Sequence, residues 1–262
     1  MPEPLLASVD GVISPPAGAT IPAADEGLVR GDGVFEMIRV YEGRPFALDD
    51  HLARLERSGA AIELPVDRAA IEREASALLA AAGDPDGNLR IVLTRGGRRV
   101  LLVEPPVVHA DTVEVATVSY APSVILTGVK SISYAANQQA TRIAVARGAD
   151  EAVLVRPDGI VLEAPTSSVF WVSPEGGLRT PSLDVGILES ITRARLAREL
   201  HVEEGAWPVD DLSAAREAFL ASTTREVQAI SAIDGRQLPE APGPRTEEAI
   251  RAFAAVLDGE LS

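Results

Sequence analysis

The chain has 262 residues, with 24 Lys and Arg against 39 Asp and Glu, a formal charge of −15. Phosphate neutralisation needs clustered Lys and Arg, and no basic run is present, so a role on nucleic acid or on an anionic membrane is not expected. With 46% hydrophobic and 24% charged residues the composition is that of a folded globular protein; no apolar run nears the roughly 20 residues of a membrane helix, and the opening Met-Pro-Glu-Pro lacks the basic start of a signal peptide, which makes a cytoplasmic protein the expectation.

In chain order, residues 6–14 and 33–48 are apolar and β-favouring, the second stretch reading as a hairpin around Tyr41-Glu42-Gly43. A helix is predicted from His51 to Ala61, with Leu52 and Leu55 at helical spacing and Asp49 or Asp50 as its N-cap. A second runs from Asp67 to about Ala82, with Ile71, Ala75, Leu78 and Leu79 on one face and Gly83 as its stop. Strands are expected at Leu89–Thr94, Val100–Val103 and Val113–Ser119, and residues 120–127, bearing Pro122, read as a linker. Beyond it, Tyr134 to Arg147 is helical and ends at Gly148. Residues 152–162 form a strand pair turned by Pro157-Asp158-Gly159, and Val169–Val172 pairs with Leu178–Thr180. Ile191 to Leu200 reads as an amphipathic helix with its arginines on the wet face. Strands at Phe219–Ala221 and Val227–Ile233 follow, then a closing helix from Thr246 to Leu257 capped by Thr246. The pattern is α+β in two lobes: residues 1–120, a linker at 121–127, and 128–262.

The chemistry is narrowed by what is scarce. There is no cysteine, and the three histidines, His51, His109 and His201, have no zinc-site spacing. The 24 basic residues are 23 arginines and one lysine, Lys130. Guanidinium neither deprotonates at ordinary pH nor condenses with a carbonyl, so a lone amine among arginines, set between a β-like stretch and a helix, suits a catalytic lysine. Glu163 ends the apolar run Val161-Leu162; alone, such a carboxylate is more often a cap or turn residue. An amine with a buried carboxylate is, however, what a pyridoxal phosphate site needs. A phosphate would suit the turn into the helix at Gly186-Ile187-Leu188-Glu189-Ser190-Ile191-Thr192, and Ser222-Thr223-Thr224 and Arg54 add hydroxyls and a fork of donors. Each of these is also compatible with an ordinary helix start or turn.

Their order along the chain resembles the fold-type IV pyridoxal phosphate enzymes. The resemblance runs from Gly31-Asp32-Gly33-Val34-Phe35-Glu36 through His51-Leu52-Ala53-Arg54-Leu55 to Phe219-Leu220-Ala221-Ser222-Thr223-Thr224-Arg225-Glu226-Val227. Its most specific parts are Lys130 through Tyr134 and Asn137, Gly148-Ala149-Asp150-Glu151-Ala152, and Asp158-Gly159-Ile160-Val161-Leu162-Glu163. It implies a small α+β N-terminal domain and a C-terminal pseudo-barrel domain, pyridoxal 5′-phosphate as coenzyme, and a homodimer. In it Lys130 resembles the Schiff-base lysine, Glu163 the partner of the pyridine nitrogen and Tyr134 the tyrosine on the ring hydroxyl. Arg54, Ile191, Thr192 and Thr223 match the phosphate clamp. Phe35, Met37, Arg39 and Thr224 fall on the substrate side. Some of Arg39, Arg95, Arg98 and Arg99 would hold the substrate carboxylate, because the Arg-x-His of D-amino acid aminotransferases is here Arg98-Arg99-Val100. Ser190 stands where a Gly is usual, Ser168 where an Asn is common, and Met37 where branched-chain enzymes often have Gly.

Three classes of function follow from the resemblance. The first is a transaminase moving an amino group from an amino acid to a 2-oxo acid in two half-reactions through the aminated coenzyme, with D-amino acids favoured over branched-chain L-amino acids. The second is a lyase of the 4-amino-4-deoxychorismate type that releases pyruvate. The third is a non-catalytic pyridoxal phosphate-binding homologue, in which the lysine would be free to drift.

Overall fold

The computed structural model describes residues 5–261; the opening Met-Pro-Glu-Pro lies outside them. By contact the chain divides into two units. The first holds the residues up to Val107 together with Val129–Tyr134, the second Val108–Gly128 with Ala135–Glu260.

The first unit is a six-stranded sheet with helices. Its strands are β1 (Leu6–Val9), β2 (Val12–Ser14), β3 (Gly33–Tyr41), β4 (Arg44–Pro45), β5 (Gly87–Thr94) and β6 (Arg99–Glu104), in the order β2-β1-β6-β5-β3-β4 and antiparallel throughout. Residues 6–14 are thus a hairpin, turned at Asp10 and Gly11, and Glu42-Gly43 turn β3 into β4; all four have positive φ. The helices are α1 (Glu26–Arg30), α2 (Leu48–Ala61) and α3 (Arg68–Ala81). Alternation along β3 sends Val34, Ile38 and Val40 to a core completed by Leu52 and Leu55 of α2, Ile71 and Leu78 of α3, and Leu89, Ile91, Leu101 and Val103. The N-cap expected of Asp49 or Asp50 is not there: α2 starts at Leu48 behind Ala47, whose φ is +52° and whose side chain caps nothing. Both aspartates lie inside the first turn, where they still favour the helix dipole, and Asp49 pairs with Arg68 at 2.6 Å. Asp67 does cap α3, accepting from the Ala70 amide at 3.0 Å.

The second unit carries an eight-stranded mixed sheet: β7 (Thr112–Ser119), β8 (Glu151–Val155), β9 (Ser168–Val172), β10 (Leu178–Pro181), β11 (Glu203–Gly205), β12 (Glu217–Ser222), β13 (Glu226–Ile233) and β14 (Arg236–Gln237). The order is β11-β10-β9-β12-β13-β7-β8, with β14 on β13. The strand at Thr112–Ser119, which precedes the expected linker, is therefore hydrogen-bonded into this sheet, parallel to both β13 and β8. Helices α4 (Ala135–Ala146), α5 (Ile191–Glu199), α6 (Val209–Ser213) and α7 (Pro244–Leu261) complete it. Phe170 and Phe219 stack at 4.9 Å, and Trp171 is fully buried.

Three local expectations are corrected here. The second arm of the 152–162 pair is not a regular strand: Arg156 bonds Ile160 and Leu162 bonds Leu154, but Ile160 then bridges to Pro208. In α5, Arg193 and Arg195 are buried rather than wet, because Glu204 takes Arg193 at 2.5 Å and Glu260 takes Arg195 through two bonds of 2.8 Å. Thr246 is an interior residue of α7 whose amide and hydroxyl both donate to the buried Glu217 at 2.9 Å, so a carboxylate from β12 does the capping instead. Among the described residues no helix is long and apolar enough to cross a membrane.

Candidate coenzyme and substrate residues

In the first unit, candidate residues gather on the edge of β3 that β4 leaves open. There the backbone of 130–132 pairs with the start of β3: the Phe35 amide donates to the Lys130 carbonyl at 2.9 Å, the Ile132 amide to the Gly33 carbonyl at 3.0 Å, and Ser131 bridges Val34. The Lys130 amide donates to Ser58 Oγ of α2 at 3.1 Å. Gly33 fits between β5 and this segment: a Cβ there would lie 2.2 Å from the Leu93 carbonyl oxygen of β5 and 2.9 Å from the Ile132 side chain. Lys130 is thereby fixed at its backbone, and its Nζ sits 4.6 Å from the centre of the Phe35 ring. The edge of Tyr134 meets the same ring at 5.3 Å and 84°.

One residue along β3 the opposite face begins. Glu36 is fully buried and accepts Arg54 Nε at 2.8 Å, Arg54 Nη2 at 2.7 Å and His51 Nδ1 at 2.8 Å, all from α2. Burial alone would raise the Glu36 carboxyl, but the charge and fork of Arg54, with the bond to His51, outweigh it and hold it at about 2. Burial pushes the His51 imidazole below its ordinary value against the pull of Glu36. The ring is then neutral, and since the carboxylate can only accept, Nδ1 carries the proton. His51 Nε2 is buried without a hydrogen bond among the described residues. Sequence reading took Arg54 alone from this cluster. The available signal was a Glu at an apolar position of β3, between Val34 and Ile38.

The arginines expected near the substrate carboxylate are all engaged within the chain. Arg39 donates to the carbonyls of Val40 and of Gly87 (2.7 Å) and lies over the Tyr41 ring. Arg95 clamps Asp32 through Nε (3.1 Å) and reaches the carbonyls of Glu63 and Ile62. Arg98 pairs with Asp10 at 2.8 Å and Arg99 with Glu74 at 2.7 Å. A substrate carboxylate at any of them would share or displace that partner. Phe35, Met37 and Arg39 share a face of β3, the one opposite Glu36.

In the second unit, Glu163 follows the 151–162 hairpin and accepts the Leu188 amide at 3.1 Å. Burial pushes the Tyr120 hydroxyl up, and the neighbouring Glu163 carboxylate adds to the shift. Tyr120, placed in the linker by sequence, is therefore within electrostatic reach of Glu163. The Leu188 loop leaves a left-handed Gly186 (φ +96°) and enters α5, whose N-cap Ser190 accepts the Arg193 amide at 3.3 Å. The amides of Ile191 and Thr192 fall in the first turn, where a helix offers no acceptor of its own. Thr192 is 1% exposed, and its Oγ1 makes no hydrogen bond among the described residues. A buried hydroxyl unpaired beside helix-start amides is a donor set suited to phosphate. Thr223 and Thr224 lie in the turn that joins β12 to β13, closed by the Ser222 and Glu226 pair. No group of three or more metal-ligating side chains occurs among the described residues.

A family model described as amino-transferase class IV matches residues 33–233. A protein of Methanocaldococcus jannaschii called a putative branched-chain-amino-acid aminotransferase is 32% identical over 243 residues, covering 83% of this chain and 84% of its own. The D-alanine aminotransferase of Bacillus licheniformis is 32% identical over 247 residues, 85% and 87% of the two chains. Among solved structures, a hypothetical aminotransferase from Mycobacterium tuberculosis in its PLP-bound form superposes with a TM-score of 0.86 at 27% identity, covering 95% of this chain and 98% of that one.

Proposed function

Because the chain belongs to the class IV aminotransferases, fold-type IV enzymes whose coenzyme is pyridoxal 5′-phosphate, we propose that it moves the amino group of a D-amino acid such as D-alanine or D-glutamate to 2-oxoglutarate or pyruvate, in two half-reactions. The observation that carries the proposal is the setting of Lys130, the chain's one primary side-chain amine, anchored by main-chain bonds to β3 and held over Phe35.

The donor set fits the coenzyme: an amine at Lys130, a carboxylate at Glu163, and at Thr192 a buried hydroxyl without a hydrogen bond among the described residues. When bound, the coenzyme supplies an electron sink for the charge left on the substrate's α-carbon. Lys130 takes the α-proton at Nζ and returns it on the other side of the transfer, a role that needs an amine able to exist unprotonated. Glu163 would face the ring nitrogen and, as a carboxylate, would keep it protonated and so strengthen the sink. Arg54, the first amides of α5, Thr192 and Thr223 would hold the phosphate, and Tyr134 would hold the ring hydroxyl. Phe35, Met37 and Thr224 face the substrate.

Support for D-amino acids comes from the Gly31–Glu36 and Ser222–Val227 runs and from the D-alanine aminotransferase relative. Phe35, Arg39 and Tyr134, with the branched-chain relative, support a branched-chain L-amino acid as the second reading. The reading includes a cytoplasmic homodimer. Single-turnover absorbance with D- and L-alanine, D- and L-glutamate and L-leucine tests it: bleaching by D enantiomers first is expected. Reaction with L-leucine alone would move the chain to the branched-chain enzymes, and pyruvate release from aminodeoxychorismate without amino transfer would make it the lyase.

A further inference from the structure

The turn that carries Thr223 is held from below by a buried ion pair that none of the roles above uses. Arg225, its third residue, donates from Nη2 to Glu151 Oε2 at 2.9 Å and from Nη1 to Gln228 Oε1, and its amide donates to Ser222 Oγ at 3.3 Å. The side chains of Arg225 and Glu151 are only 12% and 7% exposed. Each partner is fixed in turn. Glu151 Oε1, at the start of β8, accepts Thr141 Oγ1 of α4 at 2.7 Å and the Ala152 amide at 3.0 Å, and Gln228 of β13 donates to the Ala110 carbonyl at 2.7 Å. His109, beside Thr224, is pushed below its ordinary value by burial and then by the Arg225 charge. One guanidinium therefore ties α4, β8, β13 and the segment before β7 to a single three-residue turn.

A charge pair of this kind is a weak source of net stability, because desolvation offsets most of its attraction, but it is directional. Apolar packing could bury the same turn without fixing its rotation. The fork has two fixed acceptors, and so sets the orientation of the residues just before it, Thr223 and Thr224.

We infer that Arg225, clamped by Glu151 and Gln228, is a positioning residue that aims the Thr223 hydroxyl at the coenzyme phosphate. The inference rests on the proposed role of Thr223. It concerns how the phosphate is bound, and it assigns Arg225 no contact with substrate or coenzyme.

The test is titration of the full-length apoprotein with pyridoxal 5′-phosphate and, separately, with pyridoxal, which lacks the phosphate. Arg225→Gln and Glu151→Gln are each expected to weaken pyridoxal 5′-phosphate about tenfold while leaving pyridoxal within about twofold, and the double variant should be no worse than either single one. Arg225→Lys, which keeps a cation on Glu151 but not the planar fork, should recover only part of the loss. An unchanged affinity for pyridoxal 5′-phosphate overturns the inference, as do equal losses for the two ligands, which would mean general support of the fold. Should Arg225→Gln not fold, Gln228→Leu removes one arm of the clamp and carries the same pair of expectations at about threefold. Thr223→Val separates the two levels. If it weakens the phosphate ligand selectively and Arg225→Gln does not, the positioning role alone fails; if it has no effect, the assignment of Thr223 fails and the inference falls with it.

Discussion

Glu36 and Arg54 meet in a two-point ion pair, Oε1 to Nε at 2.8 Å and Oε2 to Nη2 at 2.7 Å, on the face of β3 turned away from Phe35. Because β3 alternates, neighbouring residues serve two tasks: Phe35 lies under the Lys130 amine, while Glu36 holds the arginine proposed for the phosphate. Residues 35 and 36 thereby couple both groups to one strand.

That pair sets an acid limit. Glu36 ionises at about 2 in the folded chain against 4.5 ordinarily, so the unfolded chain binds the extra proton. The stabilisation is fully present above pH 4.5 and is lost as pH falls toward 2, about 3 kcal/mol in all. His51, lowered from 6.5, adds a loss of the same sign that begins nearer neutrality. Glu36→Gln should remove the Glu36 part of that loss, below about pH 4.5, and leave the part due to burial of His51. At neutral pH it should destabilise the chain by about 3 kcal/mol by leaving the Arg54 charge half paired. Urea unfolding between pH 7 and 3 reads both; parallel curves for variant and wild type would count against the coupling.

Lys130→Ala should fold with an unchanged melting profile and lose turnover by about 10⁴-fold or more, since the proton has no other amine to go to. Borohydride reduction in the presence of coenzyme should label one lysine peptide, and this is checked cleanly because Lys130 is the only lysine. Retained turnover, or a reduced chain without label at residue 130, would remove it from the reaction.

Glu163→Gln keeps shape and removes charge. Turnover is expected to fall by about 10²-fold or more, while coenzyme affinity changes little, because the proposed phosphate clamp is left intact. The measurement is kcat beside the Kd for pyridoxal 5′-phosphate. A normal kcat would leave Glu163 a structural role, such as accepting the Leu188 amide.

Thr192→Val is expected to move two observables in opposite directions. The buried hydroxyl has no partner among the described residues, so its removal should leave the apoprotein as stable or more stable, by up to about 1 kcal/mol. Affinity for pyridoxal 5′-phosphate should fall about tenfold. Apoprotein melting and coenzyme titration together decide it, and a joint fall of both would mean that the hydroxyl serves the fold.

Much of this was readable from the chain. Lys130 stood out as the one amine among arginines, and Gly83 and Gly148 marked the ends of α3 and α4, each with the positive φ such a stop uses. Apolar periodicity placed the core residues Ile71, Ala75, Leu78 and Leu79. These are local properties. Helical spacing, turn chemistry and the need for a primary amine depend on a residue and its near neighbours in sequence, and are present before any distant contact forms.

What folding decided were the pairings. No local signal brings residue 130 to the edge of β3, joins Glu36 to α2, or turns Arg193 and Arg195 of a polar-looking helix inward onto Glu204 and Glu260. The same holds for Arg225 and Glu151, which are 74 positions apart. A buried charge is tolerable only where a partner of opposite sign arrives with matching geometry, and that partner is supplied by strand register and helix packing across the unit. The motifs and their order along the chain therefore carried the resemblance to the family and its coenzyme, while the three-dimensional arrangement decided which of 23 arginines are held by carboxylates of their own chain.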